Sequence, residues 1–286
     1  MSTLDLSETV YRALPGLSGT QVKTLLESPA RYRWERDHPR PRTAAMSLGT
    51  LFHALVLGQP LDVVVDDREF RSNADKAWRA EQEALGLTVI KSDVMDTARA
   101  MHQAVVDRDV AHQLLAAPGE SEVSVKGEHR GHPLKGRIDR LGARLIDLKS
   151  ARDVTPRAMA HALDEYGYAL QLAHYAKLVG HEQPPILIAC ENTAPYLVAV
   201  YEIDAVTWDL ANRALEVAWG LYADCTERDE WPSGLPEGIE PIGLKPWAYD
   251  QLDERVNPDA FAEMEWRTWI SHRALPQRAT NGTPTI

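Results

Sequence analysis

The sequence predicts an α+β fold, with a mixed central β-sheet flanked by helices and a helical insert. Three observations lead there. Two short apolar runs, ending in Ile138-Asp139 and Asp147-Leu148-Lys149, are separated by a glycine-containing turn and read as a β-hairpin. Upstream, the mostly apolar stretch Ala44 to Leu57 reads as a helix that Gly58 and Pro60 end. Downstream, Thr155-Pro156 supplies an N-cap followed by proline at the first helical position, and the helical pattern runs to Gly180.

Taken in order, helices are expected at about 20–35 and 43–57, followed by a helical insert at about 73–116. Strands follow near 121–128, 133–140 and 144–149, then the helices of 156–180 and strands near 185–191 and 196–203. Asp204 caps a long helix to about 228, and Trp231 to Gly238 reads as loop. A short helix is expected at about 258–271, and residues 276–286 read as a disordered tail. The domain reading is 1–250 for the main domain, insert included, and 251–286 for a C-terminal extension.

The hairpin carries the chemistry. Side chains alternate across a strand, so Asp147 and Lys149 share a face while Leu148 points into the core. Two charges on one face of a buried strand are costly unless compensated. A divalent cation compensates them, and metal-dependent phosphodiester hydrolysis uses two carboxylates and a nearby cation. A three-residue loop, Gly142-Ala143-Arg144, pairs Asp139 directly with Asp147, with the glycine expected to supply a left-handed position. Directly opposed like charges repel, so this register makes sense mainly with a metal between them. An ordinary amphipathic hairpin with a solvated charged face would read the same way.

His53 is the only strongly polar side chain in the second half of its helix. Gly49, one turn earlier, leaves room beside it. A lone histidine on an apolar helix is usually a satisfied core residue, and a metal ligand is the other reading. Tyr168, Gln171 and Tyr175 lie at i, i+3 and i+7 on one helix face. They read as core-edge packing or as groups that position a phosphate or a base.

In this order, a helix with His53, Gly136-Arg137-Ile138-Asp139, Ile146-Asp147-Leu148-Lys149, and a helix with Gln171 and Tyr175, the set resembles the RecE-type (exonuclease VIII) branch of the PD-(D/E)XK nuclease superfamily. Leu17-Ser18-Gly19-Thr20, Ser28-Pro29-Ala30-Arg31-Tyr32 and Leu244-Lys245-Pro246-Trp247-Ala248 extend the resemblance over roughly 15–250. It implies a restriction-endonuclease-like core. It implies that Asp139, Asp147 and the Leu148 backbone carbonyl hold Mg²⁺ or Mn²⁺, with His53 as a further ligand. A nitrogen ligand shifts the preference slightly toward Mn²⁺. Lys149 would orient or deprotonate the attacking water, and Gln171 and Tyr175 would steady the substrate backbone. Glu122 is a further outer acid or a solvated strand residue. Ile138 stands where the family's motif has proline.

The implied activity is a 5′-to-3′ DNA exonuclease of phage or prophage recombination. It would leave 3′ single-stranded tails on linear duplex DNA for a RecT-like annealing protein, and it would work as a homo-oligomeric ring. A RecB-like nuclease of other polarity, or an idle DNA-end-binding factor, would share the motifs.

Composition bounds these readings. The 286 residues suffice for a full core. Cys190 and Cys225 are too few for a disulfide framework or a four-cysteine iron–sulfur cluster, and they fit a reducing cytosol. No apolar run approaches membrane-spanning length and no signal-peptide pattern is seen, so a cytoplasmic protein is expected. The net charge of −11 is unlike a DNA-coating protein. Cations must therefore be concentrated where DNA goes. One cluster is Arg31, Arg33, Arg36, Arg40 and Arg42, with Ser18 as an extra donor, and Arg31 is the choice for a 5′-terminal phosphate. A second surrounds the hairpin and includes Arg130, Lys135, Arg137, Arg140 and Arg144. Ordinary surface charge is the competing reading of the first cluster.

Overall fold

A computed structural model describes residues 2–4, 6, 8–38, 48–244 and 248. The chain divides into two compact units, Met1–Leu235 and Pro236–Ile286. Every strand and helix considered below lies in the first. The expected helix at 258–271, the tail, and Arg40 and Arg42 lie outside the described residues.

Among the described residues the central sheet has seven strands. Its path is β1 (Ser2–Leu4), β5 (Gly119–His129), β6 (His132–Gly142), β7 (Leu145–Ala151), β8 (Ile186–Glu191) and β9 (Val198–Glu202), and β2 (Leu17–Ser18) pairs with β6. The numbers β3 (Val63–Val65) and β4 (Thr88–Ile90) belong to a separate two-stranded parallel sheet. β5, β6 and β7 are joined by short turns and are antiparallel. β7 and β8 are parallel, because two helices, α8 (Pro156–Glu165) and α9 (Tyr168–Val179), carry the chain back to the same end. The sheet is therefore mixed, as the sequence predicts.

Both faces are covered. On one, Leu172 and Ala173 of α9 and Leu215 and Trp219 of α10 (Ala205–Arg228) pack against Val123, Val125, Ile138, Leu145 and Leu187. On the other, Phe52 of α4 (Leu48–Val56) and Met101 and Val105 of α6 (Ser92–Asp107) pack against Ile146, Leu148 and Ile188. The insert expected at 73–116 is mostly helical, as the sequence predicts. It holds α5 (Asn73–Ala84), β4, α6 and α7 (Asp109–Ala116), and α6 is part of the core.

One expectation needs correction, and one segment is new. The helix expected at 20–35 is two helices, α2 (Val22–Glu27) and α3 (Pro29–Asp37), after a 3₁₀ turn at Gly19–Gln21. Pro29 forces Ser28 into extended backbone (φ −161°, ψ 101°), and Ser28 Oγ then caps the Arg31 amide. The segment before β2, which the sequence left unassigned, contains β1 and α1 (Glu8–Ala13).

His174 of α9 is fully buried. Its Nδ1 accepts from the Trp219 indole N–H at 3.0 Å, and its Nε2 lies 3.0 Å from the Lys135 carbonyl. Both nitrogens are satisfied only in the neutral ring, and burial lowers its pKa from 6.5 to about 4. The unfolded chain therefore binds this proton more tightly than the folded one. Stability should fall as pH drops below 6.5 and level off below about 4, losing about 3 kcal/mol from this group. Urea midpoints at pH 7, 5 and 4 for wild type and His174→Gln test this. An equal pH dependence in the two proteins would refute it.

Candidate active site

The hairpin has the expected register. Arg140 pairs with Ile146 and Leu141 with Leu145, which leaves Gly142, Ala143 and Arg144 as the loop. None of the three has a positive φ, so the expected left-handed glycine is absent. Gly142 is needed for space instead, because a Cβ there would lie 2.5 Å from the Pro118 carbonyl oxygen.

Regular pairing stops one residue short of the two acids. Ile138, Leu141 and Leu145 pack into one core cluster, although Ile138 and Leu141 are three apart. Side-chain alternation is therefore irregular between Ile138 and Leu141, the stretch that contains Asp139. On β5 the pairs with β6 run to Ser121–Arg140 and resume at Val123–Ile138. The skipped residue, Glu122, has φ +56°, a left-handed conformation uncommon outside glycine. The distortion on both strands lies where the carboxylates meet.

Asp139 replaces the missing ladder contact. Its Oδ2 accepts from the Leu148 amide at 2.7 Å and lies 3.5 Å from His53 Nδ1. His53, Glu122 and Asp139 each offer a ligand atom, all within 4.8 Å of one another. Burial opposes ionisation of Asp139, but the His53 and Lys149 charges and the Leu148 amide outweigh it and lower its pKa. Burial also disfavours the His53 imidazolium, yet Asp139, with Asp147 behind it, raises the pKa.

Asp147 and Lys149 share a face, as alternation requires. Asp147 Oδ2 is buried and lies 2.7 Å from Lys149 Nζ. That contact is an ion pair without hydrogen-bond alignment, so the oxygen has no hydrogen-bond donor. Burial and the neighbouring Asp139 charge raise the Asp147 pKa against the pull of Lys149. Burial lowers the Lys149 pKa less than the Asp147 and Asp139 charges raise it, so Lys149 is an ammonium.

Gln171 and Tyr175 reach the same place from α9. Lys149 Nζ donates to Gln171 Oε1 at 3.4 Å, and the Gln171 amide donates to Tyr175 Oη at 3.0 Å. Tyr175 fits because Gly19 and Gly136 line its slot, where a Cβ would meet its ring at 2.9 and 3.0 Å.

The structure brings His53, Asp139, Asp147, Lys149, Gln171 and Tyr175 together. Glu122, which reads more readily as a solvated strand residue, joins the His53–Asp139 group, and its left-handed backbone left no mark in the sequence. The basic residues are occupied by the protein itself. Arg137 donates to Glu122 at 2.5 Å, to the Leu6 carbonyl at 2.9 Å and to Ser124 Oγ. Arg130 pairs with Asp224 and Glu227, and Arg144 with Glu202. Lys135 and Arg140 donate to backbone carbonyls of Leu14 and Ala117. The Ser18 hydroxyl donates to Gln21 Oε1 at 2.8 Å.

The α3 arginines are held likewise. Arg33 pairs with Asp37 at 2.7 Å and with Asp229 at 2.6 Å, and Arg36 with Asp37 at 2.9 Å. Both guanidiniums also lie over the Trp231 ring. Arg31 is the most exposed of the three and lies 4.0 Å from Glu27. A phosphate role for Arg33 and Arg36 requires DNA to compete with these acids. Replacing both by alanine should lower the melting temperature and leave the salt dependence of DNA binding in Ca²⁺ unchanged. A log–log slope lower by roughly one unit per lost contact would instead assign them to phosphate.

The residue set fits a divalent cation. One imidazole and two carboxylates with ligand atoms within 4.8 Å of one another, beside the buried Asp147 carboxylate, are donors that a divalent cation accepts. Among the described residues no helix is long and apolar enough to cross a membrane.

Comparison with known proteins places the family and the fold. Residues 18–240 match a PDDEXK-like domain of unknown function (DUF3799). A crystal structure of a candidate exonuclease from Eubacterium rectale superposes with TM-score 0.55 at 12% identity, covering 89% of this chain and 99% of that one. That likeness shows a shared fold. A phage-related exonuclease from Haemophilus somnus 129PT (TM-score 0.33, 10% identity, 77% of this chain and 100% of that one) also aligns. So does an alkaline exonuclease from Laribacter hongkongensis (0.27, 12%, 66% and 93%). Those two scores are too low to carry an argument. No curated protein sequence matches the chain.

Proposed function

The chain belongs to the PDDEXK-like family of unknown function (DUF3799), and from that premise we propose that it is a divalent-metal-dependent deoxyribonuclease acting as an exonuclease on linear duplex DNA. The observation that carries the reading is the convergence of His53, Glu122 and Asp139 beside the buried Asp147–Lys149 pair. So many charges at a break in the sheet are costly to bury unless a bound group compensates them.

Asp139, Asp147, His53 and the Leu148 carbonyl would hold Mg²⁺ or Mn²⁺, with Glu122 as a further carboxylate. When bound, the cation supplies Lewis acidity and positive charge against the developing phosphorane. Asp139 is pre-oriented by the Leu148 amide, so its carboxylate needs no rearrangement. Lys149, as an ammonium, orients the attacking water by donating to it. Taking a proton from that water would first require Lys149 to lose one, which the two carboxylates oppose. Gln171 holds Lys149 and Tyr175 holds Gln171, so the pair steadies the water-side group as well as the substrate backbone.

The finer reading rests on the resemblance to RecE-type nucleases. In it the enzyme removes the 5′ strand, passes 3′ tails to a RecT-like annealing protein, and works as a ring in the bacterial cytoplasm during phage or prophage recombination. The main domain would extend to about residue 250, with 251–286 as an extension. Digestion of 5′- and 3′-labelled linear duplex with Mg²⁺, Mn²⁺ or EDTA tests the proposal. Metal-dependent loss of the 5′ label first is expected. Binding without degradation would leave an end-binding factor, and loss of the 3′ label first would reverse the polarity.

A further inference from the structure

We propose that Tyr168 is a positioning residue for Lys149, its ring face fixing the ammonium beside Asp147 and Gln171. The inference deepens the nuclease reading and rests on it. A lysine ammonium sits on a flexible four-carbon stem and has no direction of its own. Its two polar contacts here restrain it only in part. The contact to Asp147 is close but not aligned as a hydrogen bond, and the contact to Gln171 Oε1 is long at 3.4 Å.

The third contact is aromatic. Lys149 Nζ lies 4.3 Å from the centroid of the Tyr168 ring, well inside the range of cation–π attraction. The ring is half-buried, and Tyr166 packs 5.5 Å from it. The ring thus touches a second, tilted ring while its π-system meets the ammonium. Its place is set by the turn into α9. Gly167 there has φ +66°, and a Cβ would lie 2.9 Å from Lys23 Cβ. Tyr168 consequently begins α9 one turn before Gln171, and a single helical turn presents both partners to Lys149. The ring face makes this contact, so phenylalanine should replace tyrosine and an aliphatic side chain should not.

The test uses full-length protein carrying [¹³Cε]lysine, with the Lys149 signal identified by its loss in Lys149→Arg. That signal should be ring-current shifted in wild type and Tyr168→Phe, and should move to the ordinary lysine position in Tyr168→Leu and Tyr168→Met. On linear duplex, Tyr168→Phe should keep kcat within about twofold, while the Leu and Met variants lose about tenfold in kcat at unchanged KM. A Lys149 signal that does not move, or wild-type kcat in both aliphatic variants, overturns the proposal. Wild-type protein that leaves DNA intact with either cation overturns the nuclease reading instead, and the lysine signal then decides the Tyr168 contact by itself.

Discussion

Asp139→Asn and Asp147→Asn are each expected to lower DNA cleavage by on the order of 10³-fold or more, because each removes a negative oxygen from the proposed cation site. Their effects on stability should differ. Asp139 accepts the Leu148 amide and pairs with His53, so its replacement weakens a satisfied buried contact. Burial and the Asp139 charge raise the Asp147 pKa against the pull of Lys149. Asn at 147 removes the repulsion between the two carboxylates but leaves the Lys149 ammonium poorly paired. Metal-free Asp139→Asn should therefore melt below wild type by more than Asp147→Asn does. Cleavage rates with Mg²⁺ and Mn²⁺, set beside melting curves in EDTA, check both statements. Wild-type cleavage by either variant would remove that residue from the site.

Lys149→Arg is expected to cut turnover nearly as far as Lys149→Met, on the order of 10²- to 10³-fold, with cation binding retained. Charge is conserved in this change, but the planar guanidinium is larger and presents its donors in a fixed fork. The space around Nζ is defined by Asp147 Oδ2 at 2.7 Å, Gln171 Oε1 at 3.4 Å and the Tyr168 ring at 4.3 Å, which fits a compact ammonium. Single-turnover cleavage at saturating metal, with Mn²⁺ affinity measured separately, tests this. Near-normal turnover by the arginine variant would mean that residue 149 supplies only positive charge.

The sequence by itself determined the hairpin and its register. A loop of three residues leaves few ways to pair Leu141 with Leu145, and the structure uses the expected one, with the ladder ending at Arg140 and Ile146, one residue before Asp139 and Asp147. It also determined the α9 face, since i, i+3 and i+7 lie together on any α-helix. Local capping chemistry marked the start of α8 at Pro156 and of α10 after Asp204, and both helices begin there. These features depend on neighbours within a few residues, which is why they can be read along a chain.

Only the tertiary structure decided the rest. Glu122 is separated from Asp139 by a full hairpin, and its approach depends on a left-handed backbone that a glutamate codes for weakly. His53 reads as core or ligand until α4 is laid against the sheet beside Asp139. The arginines near α3 and the hairpin look like free cations in a sequence, yet carboxylates and carbonyls from distant elements hold Arg33, Arg36 and Arg137. A charge pattern records which groups are present. Whether a cation is spent on the fold or left for a phosphate depends on long-range packing, because each pairing is made between elements that only the folded chain brings within reach.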